Sequence, residues 1–472
     1  MNRSFAGALA VALLLIVAIQ IDPLSGKSGA VDNLQGSYRL ERNGWIYVHV
    51  EGPPERLGYQ HGYLLAQEIG DLLSVIKPMW LHTTHREWKF YRQTAEQMLW
   101  PKIDAEYQHE IDGIVSGMNA RGVKADRWDI VALNALEELA DYYVPWLDKQ
   151  QGRTPENHPP GNCSAFIATG SFTKDHRIVM GHNNWTNYIT GSRWNIIFDL
   201  KPEKGYRILM DGLPGVIASD DDFGVNSNGI MVTETTITQF FGFDPNGKPE
   251  FFRARKAMQY SSSIDDYVRI MLDANNGGYA NDWLIGDNKT GEIALFELGL
   301  KNHSVRRTKD GYFVGSNFPV DDKLIKDETT FDVNDKASSA NARRARWEEL
   351  MAQYKGQIDP EIGKRMEADS YDVIEKKDGP SERSLCGCVD KSPRGVPQWD
   401  WAGYYPGGTV QAKTIDASMA EKMQFWAAFG HPCAKDFVAN EFLAQHPEYS
   451  WMRGLLRDLK TRSWTQFKVG MK

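Results

Sequence analysis

"NHPPGNCSAFIATG", residues 157–170, decides how the rest of the chain reads. A Pro-Pro-Gly-Asn loop runs directly into Cys163, and Cys163 opens an apolar run with the composition of a strand. A cysteine at such a seam has three ordinary meanings: a small buried hydrophobe, half of a disulfide, or a nucleophile exposed when the loop before it is cut. The third has a definite chemistry. A free thiol titrates at about 8.5 and an α-amine at about 7.7–8.0. If the Asn162–Cys163 bond is cleaved, one residue carries both groups. The neutral amine then takes the thiol proton, directly or through one water, with no separate His–Asp pair. The same thiol, attacking the carbonyl before it, supplies the cut.

The text on either side of this seam differs. From about residue 55 to 145 it reads helical: "RLGYQHGYLLAQEIGDLLSVIKPMW" spaces Leu64, Leu65, Ile69, Leu72, Leu73 and Ile76 as an amphipathic stripe. "QQGRTPENHPPGN" ends that region as a loop. After residue 162 short strands bounded by Gly, Asn or Asp take over. "CSAFIATG" and "RIVMGHNNW" flank "SFTKDH" as a hairpin, and "GVNSNGIMVTETTI", "DWLIGD-NKTG-EIALFELG" and "GYFVGSNF" continue the style. Two helical interludes, "FRARKAMQYSSSIDDYVRIMLDA" and "SSANARRARWEELMAQY", interrupt them. The Gly-, Pro- and charge-rich segment around 372–408 predicts a long surface excursion. Helices first, then hairpins interleaved with helices, predict an α+β fold rather than a doubly wound parallel sheet.

The chain of 472 residues is 42% apolar and 25% charged, with a formal charge of −8 and no long single-sign block. That is ordinary globular composition, with a length of about three domains by the usual prior, and it lacks the clustered basic excess of a nucleic-acid binder. Arg3, an apolar run from Phe5 to Ile21 and small residues at Ser28-Gly29-Ala30 have the layout of a secretory signal peptide, with an uncleaved anchor as the alternative. The expected organisation is a signal peptide over 1–30, a mainly helical segment over 31–162, either a propeptide or a retained small chain, and a catalytic domain over 163–472. Nothing later is apolar for long enough to predict a transmembrane segment in the mature chain. In an oxidising compartment Cys386 or Cys388 pairs with Cys433, leaving Cys163 aside. Asn184, Asn288 and Asn302 match the glycosylation acceptor pattern.

Several chemistries lack their motifs. No serine has Gly at both −2 and +2, "HEIDG" at His109 lacks the second histidine of a zinc protease, and neither G-x-G-x-x-G nor a complete P-loop occurs. No cofactor and no metal is expected. The weight falls on Cys163.

"CSAFIATG…RIVMGHNNW" resembles the opening hairpin of the N-terminal nucleophile hydrolases of the bile-salt-hydrolase and penicillin-acyltransferase type. It is most similar to their relatives, the phospholipase B-like proteins, where Cys-Ser-Ala is followed by a His-Asn-x-Trp strand, here Cys163-Ser164-Ala165 and His182-Asn183-Asn184-Trp185. The similarity continues through "GLPGVIASDDDFGVNSNGIMVTETTI", "GYFVGSNFPV", "SSANARRARW" and "GTVQAKTIDASMAEKMQFWAAFG", and so covers most of residues 163–430. "RLGYQHGYLLAQEI" and "EIDGIVSGMNARG" resemble the helical leading segment of the acyltransferase branch. The resemblance implies a four-layer αββα sandwich preceded by a helical segment, with self-cleavage between Asn162 and Cys163. By position it makes Cys163 the nucleophile, Asn317 of "SNFP" an oxyanion donor and Arg343 of "ANARRAR" a cation favouring thiolate. Arg344 and Arg346 compete for that last register. Thr236 falls where bile-salt hydrolases carry a second oxyanion asparagine, with Asn183 and Trp185 in support. Where penicillin- and bile-salt-cleaving members hold the amine with an aspartate, this chain has Trp185, leaving His182 as the group to hold it.

The resemblance implies an exported acyl hydrolase acting on fatty-acyl esters of phospholipids, secreted or lysosomal in a eukaryote and periplasmic or extracellular in a bacterium. An N-acyl amide hydrolase or acyltransferase, and a lipid-binding protein of low turnover, are the alternatives. Trp185, Tyr188, Trp194 and Phe223 are the aromatic residues expected to suit an acyl pocket.

Overall fold

Strand β3 (Ser164–Thr169) begins one residue after Cys163 and pairs antiparallel with β4 (Val179–Asn187), the hairpin that the sequence predicts. The computed structural model describes residues 33–154, 163–433 and 435–472. The expected signal peptide and Asn162 lie outside these residues. β3 and β4 are central in a six-stranded sheet, with β12 (Gly311–Gly315) beside β3 and then β13 (Gly407–Asp416), β14 (Gln424–Phe429) and β15 (Thr465–Lys468) beyond β4.

A nine-stranded sheet faces it. Its order is β1 (Tyr38–Arg42), β2 (Trp45–Gly52), β5 (Ile196–Pro202), β6 (Ile208–Gly212), β7 (Gly224–Asn226), β8 (Ile230–Thr236), β9 (Asn281–Asp287), β10 (Glu292–Leu298) and β11 (His303–Thr308). Every pairing in it is antiparallel except β2 with β5.

The layers follow from strand alternation. Ala165, Ile167 and Met180 point into one core with Trp283 and Ile285 of the nine-stranded sheet, whereas Phe166, Ala168 and Val179 point the other way, onto Trp347, Leu350 and Met351. Helices Ser339–Gln353 and Pro360–Glu367 cover that outer face, and helices Pro54–Leu64, Glu250–Tyr260 and Ile264–Leu272 pack on the nine-stranded sheet. The result is an α+β sandwich with helix, sheet, sheet and helix in succession.

The mainly helical segment before the seam also carries a hairpin: β1 and β2 turn on Asn43-Gly44, both at positive φ (49° and 85°), and extend the main sheet. That dipeptide is a type I′ turn signal. One reading changes: residues 372–408 are not a surface excursion. Leu385, Cys386, Cys388, Val389, Trp399 and Trp401 are buried, several of them against Trp185. The segment's glycines read as exposure but serve close approach: a Cβ on Gly387 would lie 1.8 Å from the Trp185 ring. Cys386 pairs with Cys433, while Cys388 and Cys163 are free thiols. No helix among the described residues is long and apolar enough to cross a membrane.

Candidate functional site

Cys163 stands at the mouth of β3 with φ 89°, a left-handed conformation that costs a non-glycine residue about 1–3 kcal/mol and persists where the surroundings dictate it. Its side chain is fully buried between the two sheets, but not in apolar packing. The thiol points at Glu234 Oε1 of β8 at 3.6 Å, with Asn184 Oδ1 of β4 at 4.0 Å. Sγ, a His182 ring nitrogen and a Glu234 oxygen all lie within 4.8 Å of one another. Burial pushes the thiol well above its ordinary range, and the charges of Glu234 and Asp221 add to this, so the resting group is S–H. Burial raises Glu234 in the same way, followed by Asp222 and Asp221. Tyr279 OH donates to Glu234 Oε1 at 3.2 Å, and Asn281, with its amide turned to satisfy both ends, donates to Oε2 at 2.9 Å.

His182 is fully buried, and neither ring nitrogen makes a well-formed hydrogen bond among the described residues, the Glu234 backbone being a polar neighbour of the ring. Nδ1 faces Asp221 Oδ2 at 3.7 Å. Burial, then the Lys413 charge, pull its pKa down to about 3, so the imidazole is neutral rather than titrating near neutrality. Lys413 is itself held by Asp221 and by Asp211 Oδ2 at 2.9 Å, and Ser219 bridges the same two carboxylates.

On the outer side of the six-stranded sheet Arg343 is fully buried, and of the three arginines it is the one in contact with Cys163. Its Nη1 donates to Cys163 O at 2.6 Å and Ser164 Oγ at 2.8 Å, its Nη2 to Asn317 Oδ1 at 2.7 Å and its Nε to Ser339 Oγ at 3.1 Å. The guanidinium lies 4.3 Å over the Trp185 ring. Arg344 instead stacks on Phe318, and Arg346 pairs with Asp369. Arg343 therefore grips the backbone oxygen of the cysteine, while burial keeps the thiol protonated. Asn317, at φ 71°, donates from Nδ2 to Thr236 O at 2.8 Å, and Thr236 Oγ1 donates to Tyr279 OH at 2.9 Å. Asn183 turns away from the thiol: its Nδ2 donates to Glu367 O and Leu385 O, and Trp185 Nε1 also reaches Leu385 O. Asn184, one residue on, is the strand neighbour on the thiol's side.

Glu234, Tyr279, Asn281, Asp221 and Lys413 escaped the sequence reading. A glutamate inside "TETT" and a lysine inside "QAKT" have the alternation of strands with one wet face, and here both faces are covered. Asn184 is buried beside the thiol, so its acceptor motif is strand sequence and not a glycan site. Trp185, Tyr188, Trp194 and Phe223 are all buried core residues. The aromatic surface that faces open space is elsewhere: Trp80, Trp399, Trp401, Tyr405, Tyr449 and Trp451 line a cleft of about 330 Å³, with Glu137 and Asp141 at its wall. Trp399 lies on the wall of this cleft, and its ring is 5.7 Å from the Arg343 guanidinium.

The Phospholipase B family model matches residues 76–296, a span that includes Cys163, the β3–β4 hairpin and Glu234. Among curated proteins the chain is 24% identical over 284 residues to an uncharacterized protein of Archaeoglobus fulgidus, covering 56% of this chain and 45% of that one. It is 23% identical over 267 residues to phospholipase B-like 1 of Bos taurus, covering 49% and 48%. The match to phospholipase B of Crotalus adamanteus is 22% over 454 residues, covering 84% and 77%. The matches cover less than half the length of most of these curated relatives.

Proposed function

Because the chain is a member of the phospholipase B-like family, we propose that it is an acyl hydrolase that cuts itself before Cys163 and then turns over fatty-acyl esters through a thioester at that residue. One observation carries this: a buried cysteine in left-handed backbone at the head of a central strand, with Arg343 bound to its carbonyl and to Asn317.

In the uncut chain Sγ attacks the Asn162 carbonyl carbon, the Cys163 nitrogen takes up a proton and leaves, and the acyl group passes to sulfur. Water hydrolyses this thioester, leaving an Asn162 carboxylate and a free α-amine on Cys163. That amine becomes the proton acceptor that a thiol kept protonated by burial requires. A neutral His182 suits the amine as an acceptor of its N–H. In turnover the thiolate attacks the ester carbonyl, the alcohol leaves with a proton returned by the amine, and water releases the acid. The Asn317 amide, oriented by Arg343 through its oxygen, is the side-chain donor for the oxyanion. The aromatic cleft at Trp399 and Trp401 is the acyl pocket, and the chain is exported before it acts.

Intact-mass analysis tests the first step. Purified protein is expected to show a fragment that begins at Cys163, absent in Cys163→Ala. A single uncut mass in folded wild-type protein that ignores thiol reagents overturns the mechanism. Release of fatty acid from phosphatidylcholine, compared with an N-acyl amino acid, decides the bond class, and the ester is expected to be the better substrate.

A further inference from the structure

We propose that Cys163, His182 and Glu234 together bind a zinc ion, and that the bound ion holds the thiol in a form that neither cleaves the chain nor accepts an acyl group. The site is not one of the roles these residues have in hydrolysis, although the inhibitory consequence rests on Cys163 being the nucleophile.

The donor set is sulfur, imidazole nitrogen and carboxylate oxygen, the combination that suits zinc rather than calcium or magnesium. In a tetrahedral zinc site with bonds of roughly 2.0–2.3 Å, the ligand atoms are about 3.4–3.6 Å apart. Sγ and Glu234 Oε1 are already 3.6 Å apart, and the third atom is within 4.8 Å of both. The three come from β3, β4 and β8, on both facing sheets, so their separation is fixed by the sandwich rather than by a loop.

A second, independent feature points to a ligand. His182 is wholly buried, and neither ring nitrogen makes a well-formed hydrogen bond among the described residues, its polar neighbours being the Glu234 backbone and the Asp221 carboxylate. A buried imidazole nitrogen without a well-formed hydrogen bond is destabilising, and a metal ion removes that cost. Nδ1 faces the Asp221 carboxylate, the arrangement that orients a metal-binding histidine, and leaves Nε2 for the ion. The remainder of the shell is in place: Tyr279 and Asn281 hold the Glu234 carboxylate, and Asp211 and Asp221 outnumber the one ammonium of Lys413. Thiolate and carboxylate together neutralise a divalent ion, and each ligand that carries a proton gives it to the buffer as its bond to the metal forms. Three protein ligands leave one position for water. The ion is a lock and not a cofactor: coordination draws electron density from the sulfur and ties it to the metal, which lowers its nucleophilicity and holds it away from a carbonyl.

Cobalt(II) reports the site without any assay of activity. Added to folded, metal-free wild-type protein, Co²⁺ is expected to give a near-ultraviolet thiolate charge-transfer band that Zn²⁺ displaces, and Cys163→Ser is expected to lack it. Glu234→Gln is expected to weaken Zn²⁺ binding by at least about tenfold. No band with folded wild-type protein, or a band that survives in Cys163→Ser and so belongs to Cys388, overturns the site. For the lock, Zn²⁺ is expected to slow appearance of the Cys163 terminus, and chelation to restore it. Cleavage unchanged at saturating Zn²⁺ overturns the inhibitory role. A metal-free chain that never cleaves sinks self-processing, and the lock with it, while the cobalt band still decides the metal site.

Discussion

Arg343 shows what one side chain contributes. Its planar fork reaches a backbone carbonyl, two hydroxyls and an amide oxygen in directions that a single ammonium cannot span. Arg343→Lys keeps the charge and loses at least two hydrogen bonds of a charged donor, each worth about 1.5–3 kcal/mol. Thermal melts are expected to show a loss of about 3 kcal/mol or more, and the Cys163 terminus is expected to form more slowly, because the carbonyl of the reacting residue is no longer held. Arg344→Lys, on Phe318, serves as the comparison and is expected to leave processing unchanged. The family resemblance pointed to Cys163, His182, Asn317 and Arg343, and the fold places His182 near the thiol and Arg343 on both the Cys163 carbonyl and Asn317. It did not reach Glu234, because a carboxylate in mid-strand carries no sign of which face is buried.

Among the elements, two helices of the segment before Cys163 approach each other very closely. Helices Pro54–Leu64 and Ala105–Ala120 meet through two glycines each, Gly58 and Gly62 against Gly113 and Gly117. A Cβ on Gly62 would stand 2.0 Å from Ile114 O, and one on Gly117 would stand 2.2 Å from Tyr59 O. Helix propensity alone makes Gly→Ala favourable by about 0.8–1 kcal/mol. Here the backbones must part instead, and Gly62→Ala is expected to cost about 1–3 kcal/mol in a thermal melt. Gly70→Ala meets only a Val123 methyl at 3.0 Å and is expected to change stability far less. A stabilised Gly62→Ala protein would refute the close crossing. The apolar stripe made these helices legible, since periodicity reports which residues face inward. It says nothing about how near the neighbour lies, so "GYQHG" and "GIVSG" read as helix text interrupted by weak formers.

Taken whole, the molecule buries more acid than base. The hairpins and helical interludes were legible because each carries its own period, but the way 372–408 closes over Trp185 depends on contacts distant in sequence, and so does the gathering of carboxylates between the layers. Burial raises Glu137, Asp141, Asp220, Glu234, Glu250 and Glu367, and lifts Asp222 and Glu297 to about 7. Each such group keeps its proton in the folded state after the unfolded chain has lost it at about pH 4. The folded state therefore holds more protons above that pH, and stability falls as pH rises toward and through the folded values. His61 and His182, held near 3, act in the opposite sense: below about 6.5 the unfolded chain protonates them and the folded one does not. Asp199, depressed although buried because His49, Arg207 and Tyr47 hydrogen-bond its carboxylate, likewise favours the folded state only above the acid range. The raised carboxyls outnumber these groups, so the melting temperature is expected to be highest near about pH 4–5 and to fall by several degrees toward pH 8. Glu234→Gln, neutral at every pH, is expected to flatten the alkaline side of that profile. A melting temperature that rises steadily from pH 5 to pH 8 would mean that these carboxyls are ionised in the folded chain, with cations or water reaching the space between the sheets.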